Sequence, residues 1–434
     1  MKILVHPSHL QSGCVKINGY KHSMVQVIAA AVALNQKTII RNVPLVDDTF
    51  VLQKILQKMG CIYEINNNSI YIDPKNITKY QIDDELSQKI HGSMYLFAAL
   101  VVQFQKVHFA QSGGCKIGDA NQDGNRPFEQ ILDVLEKFGY RCVQNRSDYV
   151  FSYQKTSGRV IDISDYSDTA KRLDGPRVSS ATKVAVLLGA CVGKYRILNP
   201  YMNTDVRDLL KYLQVCGYET EVDKKSIMIE KRQTAPEVAE LTLSDCGSEV
   251  ISYITLAVMH GISLRLKVHQ LKALKKSLRA EIKLFKKIGI NLVYGDDFID
   301  IEPVAQVKKV DFKVLNTTIR SDHQPFFALL LTKADGISSI TECVWKNRFA
   351  YVAELNKLGF HITRHKNKIK IYPAVPTEQQ CILCGCDTRS AAVLLIAALM
   401  CRADIKICEA EHLNRGYGDF VENLKNLGAN LEIV

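Results

Sequence analysis

Five short segments carry residue types suited to holding an anion or moving a proton. Gly19-Tyr20-Lys21-His22-Ser23 places a lysine just ahead of an apolar stretch. Gln111 to Gly118 reads Gln-Ser-Gly-Gly-Cys-Lys-Ile-Gly, a glycine-rich run that continues to Arg126-Pro127. A thiol beside a lysine can have its pKa lowered. This run is no nucleotide P-loop, because G-x-x-x-x-G-K-[ST] is absent. Ser321-Asp322-His323-Gln324 offers a carboxylate, and Asp387-Thr388-Arg389-Ser390 and Asn414-Arg415-Gly416-Tyr417 each offer a guanidinium. Each segment also has a plainer reading: a surface lysine, a buried thiol, an N-cap aspartate, a paired arginine, a turn.

The elements around these segments repeat. A helix ending in an apolar residue and glycine, followed by a strand, recurs at Gly60, Gly139, Gly217, Gly289, Gly359 and Gly428, at intervals of 79, 78, 72, 70 and 69 residues. Glycine there fits the left-handed residue that stops a helix. Between these marks lie six apolar helices that begin at Ser23, Ser93, Ser179-Ser180, Ser248, Asp322 and Ser390, residue types that cap helices well. Apolar all round, they should be buried. The pattern predicts an α/β protein of two similar domains, 20–231 and 232–434, hinged at 230–236. Six helix N-termini facing one cleft would attract phosphate and carboxylate.

Composition narrows the function classes. The chain has 434 residues, 47% hydrophobic and 23% charged, with a net charge of +11. That excludes a disordered chain and suits anionic partners. No apolar run is long enough to span a bilayer, and the N-terminus lacks the apolar core of a signal peptide. Thirteen irregularly spaced cysteines point to reduced thiols and a cytoplasmic protein. Cys381-Ile382-Leu383-Cys384-Gly385-Cys386 lacks the fourth ligand a zinc site needs. It reads as a buried strand, and no metal is expected. The lysine-rich helix 270–288 reads as a solvated face, with no aromatic interleaving for nucleic acid.

Seven motifs in order give the chain a family resemblance: Leu10 to Lys21, Gly113 to Gly118, Arg126-Pro127, Ser321 to Gln324, Ile340 to Phe349, Asp387 to Arg389, and Arg415 to Asn430. The chain resembles the enolpyruvyl transferase family over nearly its whole length. It is closer to the UDP-N-acetylglucosamine branch than to the shikimate-phosphate branch. The resemblance implies two inside-out α/β barrel domains, each of three βαβαββ-type repeats (an EPT/RTPC-like fold). The first strand, within 1–19, would join the C-terminal domain, and 111–127 would be a mobile Cys loop. The implied activity is enolpyruvyl (1-carboxyvinyl) transfer from phosphoenolpyruvate to a hydroxyl, with phosphate released and no cofactor. Asp322, Cys115 and Lys21 would be catalytic, Asp322 as the base and Cys115 as the acid or an aid to product release. Lys21, Arg126 and Arg415 would hold the phosphate, and Arg348 and Arg389 the carboxylate. His22, Pro127, Ser179, Ser180 and Asp322 would meet the acceptor. Domain closure would bring these groups together.

The sequence departs from the sugar-nucleotide branch mainly on the acceptor side. His22 stands for Asn, His91 for Arg and Lys346 for Glu, and Phe128-Glu129-Gln130 replaces Val-Asp-Leu. The expectation is therefore a transferase with a changed acceptor, a nucleotide such as uridine monophosphate or a nucleotide-sugar. The alternatives are the UDP-N-acetylglucosamine 1-carboxyvinyltransferase reaction itself and a non-catalytic phosphoenolpyruvate- or nucleotide-binding relative. The expected partners are small anionic molecules, with no nucleic acid and no membrane.

Overall fold

The computed structural model describes all residues except 115–127, 156–157, 168–179, 316–317, 346–347 and 377–378. The described residues form two compact units. The N-terminal unit comprises 19–114 and 128–244, and the C-terminal unit comprises 1–18 and 245–434.

Each unit holds three copies of one motif. Its unbroken form runs Val160–Asp162, helix Ser180–Val192, Lys194–Leu198, helix Thr204–Val215, Tyr218–Val222, Ser226–Lys231. The first two strands pair in parallel and the others antiparallel, giving a four-stranded sheet. Asp311–Val314 to Lys368–Tyr372 repeats this order in the C-terminal unit. Of the six sheets among the described residues, five have four strands. The sixth has three, and a single bridge between Gln81 and His108 stands where its parallel strand would be.

Three repeats are assembled from distant chain segments, and one of these exchanges moves the domain boundary from its expected place at 231/232. The strand Ala239–Thr242 pairs in parallel with Thr38–Arg41 and supplies the first strand of the first repeat. Residues 232–244 therefore belong to the N-terminal unit, and the chain leaves that unit after Ser244. Gly13–Lys16 supplies the first strand of the fourth repeat, beside Leu264–Lys267. Ile3–His6 lies between Ile405–Cys408 and Asn430–Ile433 in the sixth. A period read from helix-stop glycines cannot reveal these exchanges, because they place strands from one end of a unit in the sheet of another repeat.

The three apolar helices of each unit pack on one another inside their sheets. Nearly every residue of Lys21–Ala33, Ser93–Phe104, Ser180–Val192, Gly247–His260, Gln324–Leu330 and Thr388–Ala398 is buried. Each fully buried Val, Leu or Ile there contributes roughly 1.5–3 kcal/mol. All six helix-stop glycines have positive φ. At Gly60 a Cβ would also lie 2.4 Å from the Asn76 carbonyl oxygen, so the site rejects a side chain twice over.

The helix starts differ from the expected serine caps. Ser23, Ser248 and Ser390 fall inside the first turn, and Tyr20, Gly92, Cys246, His323 and Asp387 occupy the cap positions. Among these five, only Asp387 caps with its side chain. The lysine-rich segment 270–288 is two helices, Leu271–Ser277 and Arg279–Lys287, broken at Leu278. Cys381–Cys384 is a strand, but at a sheet edge with Ile382 exposed.

Candidate active site

In the C-terminal unit three helix starts meet. Asp322 lies in the turn before helix Gln324–Leu330, Arg389 in the first turn of Thr388–Ala398, and Ser248 in the first turn of Gly247–His260. Asp322 Oδ1 is 2.5 Å from Arg348 Nη1, and Oδ2 is 3.3 Å from Arg389 Nη2. Arg348 precedes helix Ala350–Lys357. Its Nη2 also lies 4.0 Å from Asp387 Oδ1.

The electrostatics follow from this crowding. Enclosure alone would raise the Asp322 carboxyl, but Arg348 and Arg389 outweigh it and hold it well below the usual carboxylate range. Burial works against the charge on both guanidiniums; Asp322 and then Asp387 reverse that at Arg348, and Tyr417 and then Asp322 reverse it at Arg389. Arg348 Nε, Arg389 Nη1 and both amide atoms of Gln324 are buried with no hydrogen-bond partner among the described residues. Buried polar groups are ordinarily hydrogen-bonded, so such a cluster is unusual. It leaves planar N–H donors beside two cations, a geometry suited to a carboxylate or phosphate.

Arg415 ends the short 3₁₀ helix Ala410–Arg415 next to this cluster. Gly416 passes so close to helix Thr388–Ala398 that a Cβ would lie 2.6 Å from Thr388 Cγ2. The Arg389 guanidinium sits 5.1 Å from the centroid of the Tyr417 ring, and the Tyr417 hydroxyl is 2.7 Å from Ser252 Oγ.

The N-terminal unit positions the other described candidates. Lys21 is the first residue of helix Lys21–Ala33, and its Nζ is 3.1 Å from the buried Asp48. The His22 ring meets Tyr20 edge-on at 5.3 Å. Ser180 Oγ is 3.0 Å from the Tyr95 hydroxyl, which Lys183 Nζ approaches at 3.4 Å. Lys183 also forms a short, fully buried ion pair with Asp205. His91 packs edge-on against Tyr95.

Within the C-terminal unit, then, Asp322 contacts both Arg348 and Arg389, with the Arg415 turn alongside. Lys21, His22 and Ser180 lie at helix starts of the N-terminal unit. Cys115, Arg126, Pro127 and Ser179 lie outside the described residues, as does Lys346. Tyr95, Lys183, Asp205, Glu281 and Glu342 were not singled out from sequence. Lys183 carried a signal, since a lysine inside Ala-Thr-Lys-Val-Ala-Val-Leu-Leu needs a buried partner. Among the described residues no three His, Cys, Asp or Glu side chains group to hold a metal ion.

The family model of EPSP synthase (3-phosphoshikimate 1-carboxyvinyltransferase) matches residues 5–424. The chain belongs to this family. It is an enolpyruvyl transferase with the family's two-domain α/β fold. It is 26% identical to the UDP-N-acetylglucosamine 1-carboxyvinyltransferase of Halothermothrix orenii, covering 100% of this chain and 99% of that one. The enzyme of the same name from Wolbachia pipientis subsp. Culex pipiens is 27% identical, with 99% of each chain covered. Among solved structures, the enolpyruvyl transferase NikO from Streptomyces tendae superposes with a TM-score of 0.90 at 28% identity, covering 99% of this chain and 98% of NikO. EPSP synthase from Acinetobacter baumannii, at 15% identity and a TM-score of 0.75, shares the fold. No helix among the described residues of this transferase is long and apolar enough to cross a membrane.

Proposed function

We propose that the chain transfers the enolpyruvyl group of phosphoenolpyruvate to a hydroxyl of a nucleotide or nucleotide-sugar acceptor. The observation that carries this reading is the Asp322 carboxylate held between Arg348 and Arg389, with buried, unpartnered N–H groups on both guanidiniums. The relatives named for UDP-N-acetylglucosamine support the acceptor class. The substitutions at His22 and His91 favour an altered nucleotide over the same sugar.

In this reading Arg348 and Arg389 take the carboxylate, and Lys21, Arg126 and Arg415 the phosphate. A proton from an acid, assigned to Cys115, goes to the methylene carbon while the acceptor oxygen bonds to the central carbon. Asp322 takes the hydroxyl proton. The tetrahedral ketal then loses a methyl proton and phosphate, which restores the double bond as an enol ether. His22, Pro127, Ser179 and Ser180 would hold the acceptor. The fixed cations stabilise the developing charge, and no cofactor is invoked. The twelve described cysteines stand outside any disulfide, which supports a reduced, cytoplasmic setting.

The test is phosphate release from phosphoenolpyruvate with UDP-N-acetylglucosamine, uridine 5′-monophosphate and shikimate 3-phosphate, alongside calorimetry of phosphoenolpyruvate binding. Release with a uridine nucleotide supports the proposal, and release with shikimate 3-phosphate alone overturns its acceptor class. Phosphoenolpyruvate binding without release from any acceptor points to the non-catalytic relative.

A further inference from the structure

We propose that Glu281 is a positioning residue for Asp322, acting through His323. The proposal rests on the reading of Asp322 as the base. Asp322 sits in a non-helical turn, and three of that turn's residues are tied to buried carboxylates. Glu281 Oε1 accepts the Arg320 N–H at 3.3 Å and faces His323 Nδ1 at 2.7 Å, so one oxygen closes both ends of the turn. Ser321 Oγ donates to Glu342 Oε2 at 2.8 Å. Glu342 Oε1 in turn accepts the Val344 and Trp345 N–H groups, on the approach to Arg348. On the far side, His323 Nε2 is 3.1 Å from Ser248 Oγ.

Ser248, Glu281 and His323 are all buried. Burial raises the Glu281 carboxyl, yet the His323 hydrogen bond brings it below its ordinary value. Burial also lowers His323. Both directions fit an ionised Glu281 and a neutral imidazole whose Nδ1–H donates to it. Nε2 then accepts the Ser248 hydroxyl proton.

The local chain is shaped for this contact. The helix break at Leu278 leaves the Ser277 carbonyl oxygen to Arg320 Nη2, at 3.2 Å. The second helix then starts at Arg279 and brings Glu281 inward in its first turn. Glu281 belongs to the fourth repeat, whereas Asp322 and Arg348 belong to the fifth. The contact thus fixes the carboxylate from outside its own repeat. With residues 320 and 323 held, the Asp322 carboxylate cannot follow either guanidinium away from the reacting hydroxyl.

Glu281→Asp withdraws the oxygen by one methylene but keeps the charge. Turnover, read as phosphate release with UDP-N-acetylglucosamine or uridine 5′-monophosphate, should fall about 10- to 100-fold, the range of a 1 Å misplacement. The Kd for phosphoenolpyruvate should stay within about threefold, because ground-state binding is untouched. Glu281→Gln, which keeps an oxygen in place, should restore most of kcat. Wild-type kcat in Glu281→Asp overturns the proposal, as do a parallel loss of affinity and a Glu281→Gln variant no better than Glu281→Asp. Should Glu281→Asp not fold, Ser248→Ala removes the far anchor instead, and unchanged kcat there also overturns it. Should the wild type turn over neither acceptor, the functional reading fails separately. A crystal structure of the variant then decides: a displaced Asp322 supports the proposal, and an unmoved Asp322–Arg348 contact rejects it.

Discussion

The Asp322 carboxylate and the Arg348 guanidinium meet at 2.5 Å, so the proposed base occupies the cation that should receive substrate. An ionised carboxylate held this firmly is a weak proton acceptor. An incoming carboxylate that takes over Arg348 and Arg389 would release Asp322 and raise its basicity. Substrate binding and activation of the base would then be a single exchange of anions.

Asp322→Asn tests that exchange. Loss of the base should cut phosphate release by about 10²- to 10⁴-fold. Phosphoenolpyruvate should bind at least as tightly as to the wild type, because the competing anion is gone. Weaker binding in calorimetry would show that Asp322 helps to hold substrate and would remove the exchange argument.

Much of this arrangement was legible in the sequence, for specific reasons. The six helix-stop glycines fix the repeat because each needs a positive φ, and the apolar helices are interior because no face of them is polar. Asp322, Arg348 and Arg389 stand in recognisable motifs. Glu281 does not, because a lone glutamate in a lysine-rich helix looks solvated until the break at Leu278 is seen. Ala239–Thr242 was missed because its partner, Thr38–Arg41, lies some two hundred residues away. Pairing at that separation leaves no mark in local periodicity.

Gly416 offers a test of how closely the Arg415 turn must pack. Gly416→Ala would place a methyl 2.6 Å from Thr388 Cγ2. The turn must shift, and activity should fall by about tenfold or more, as a displaced binding group does. Thr388→Ser deletes the opposing methyl and keeps the hydroxyl, so Gly416→Ala/Thr388→Ser should recover most of the activity. If the double variant is as impaired as Gly416→Ala, the close approach is not the cause.

Glu249 gives a stability prediction with a definite sign. Burial pushes its carboxyl up to about 7, even though it accepts the Asn18 N–H. The unfolded chain releases this proton near 4.5. Between those values the folded state holds the extra proton, so this group makes stability fall as pH rises, by about 3 kcal/mol in total. Glu249→Gln keeps an acceptor for Asn18 and removes the titration. Urea unfolding should show the variant gaining on the wild type from pH 4.5 to 7, with a constant difference above that. A difference independent of pH would refute the assignment.

The buried Lys183–Asp205 pair makes the last prediction. Burial disfavours the Lys183 charge, yet Asp205 and Tyr95 raise its pKa above the ordinary lysine value. Lys183→Met leaves Asp205 charged, buried and unpaired, and should cost about 3–5 kcal/mol in urea unfolding at pH 7. Lys183→Met/Asp205→Leu removes both charges and should regain most of that loss, because two desolvation penalties disappear together. The double variant also loses the Lys183 contact with the Tyr95 hydroxyl, and that hydroxyl orients Ser180. Ser180 is one of the residues proposed to meet the acceptor, so stability should return while KM for the acceptor is above the wild-type value and the Kd for phosphoenolpyruvate is unchanged. Recovery of both stability and acceptor KM would confine the pair to a structural role.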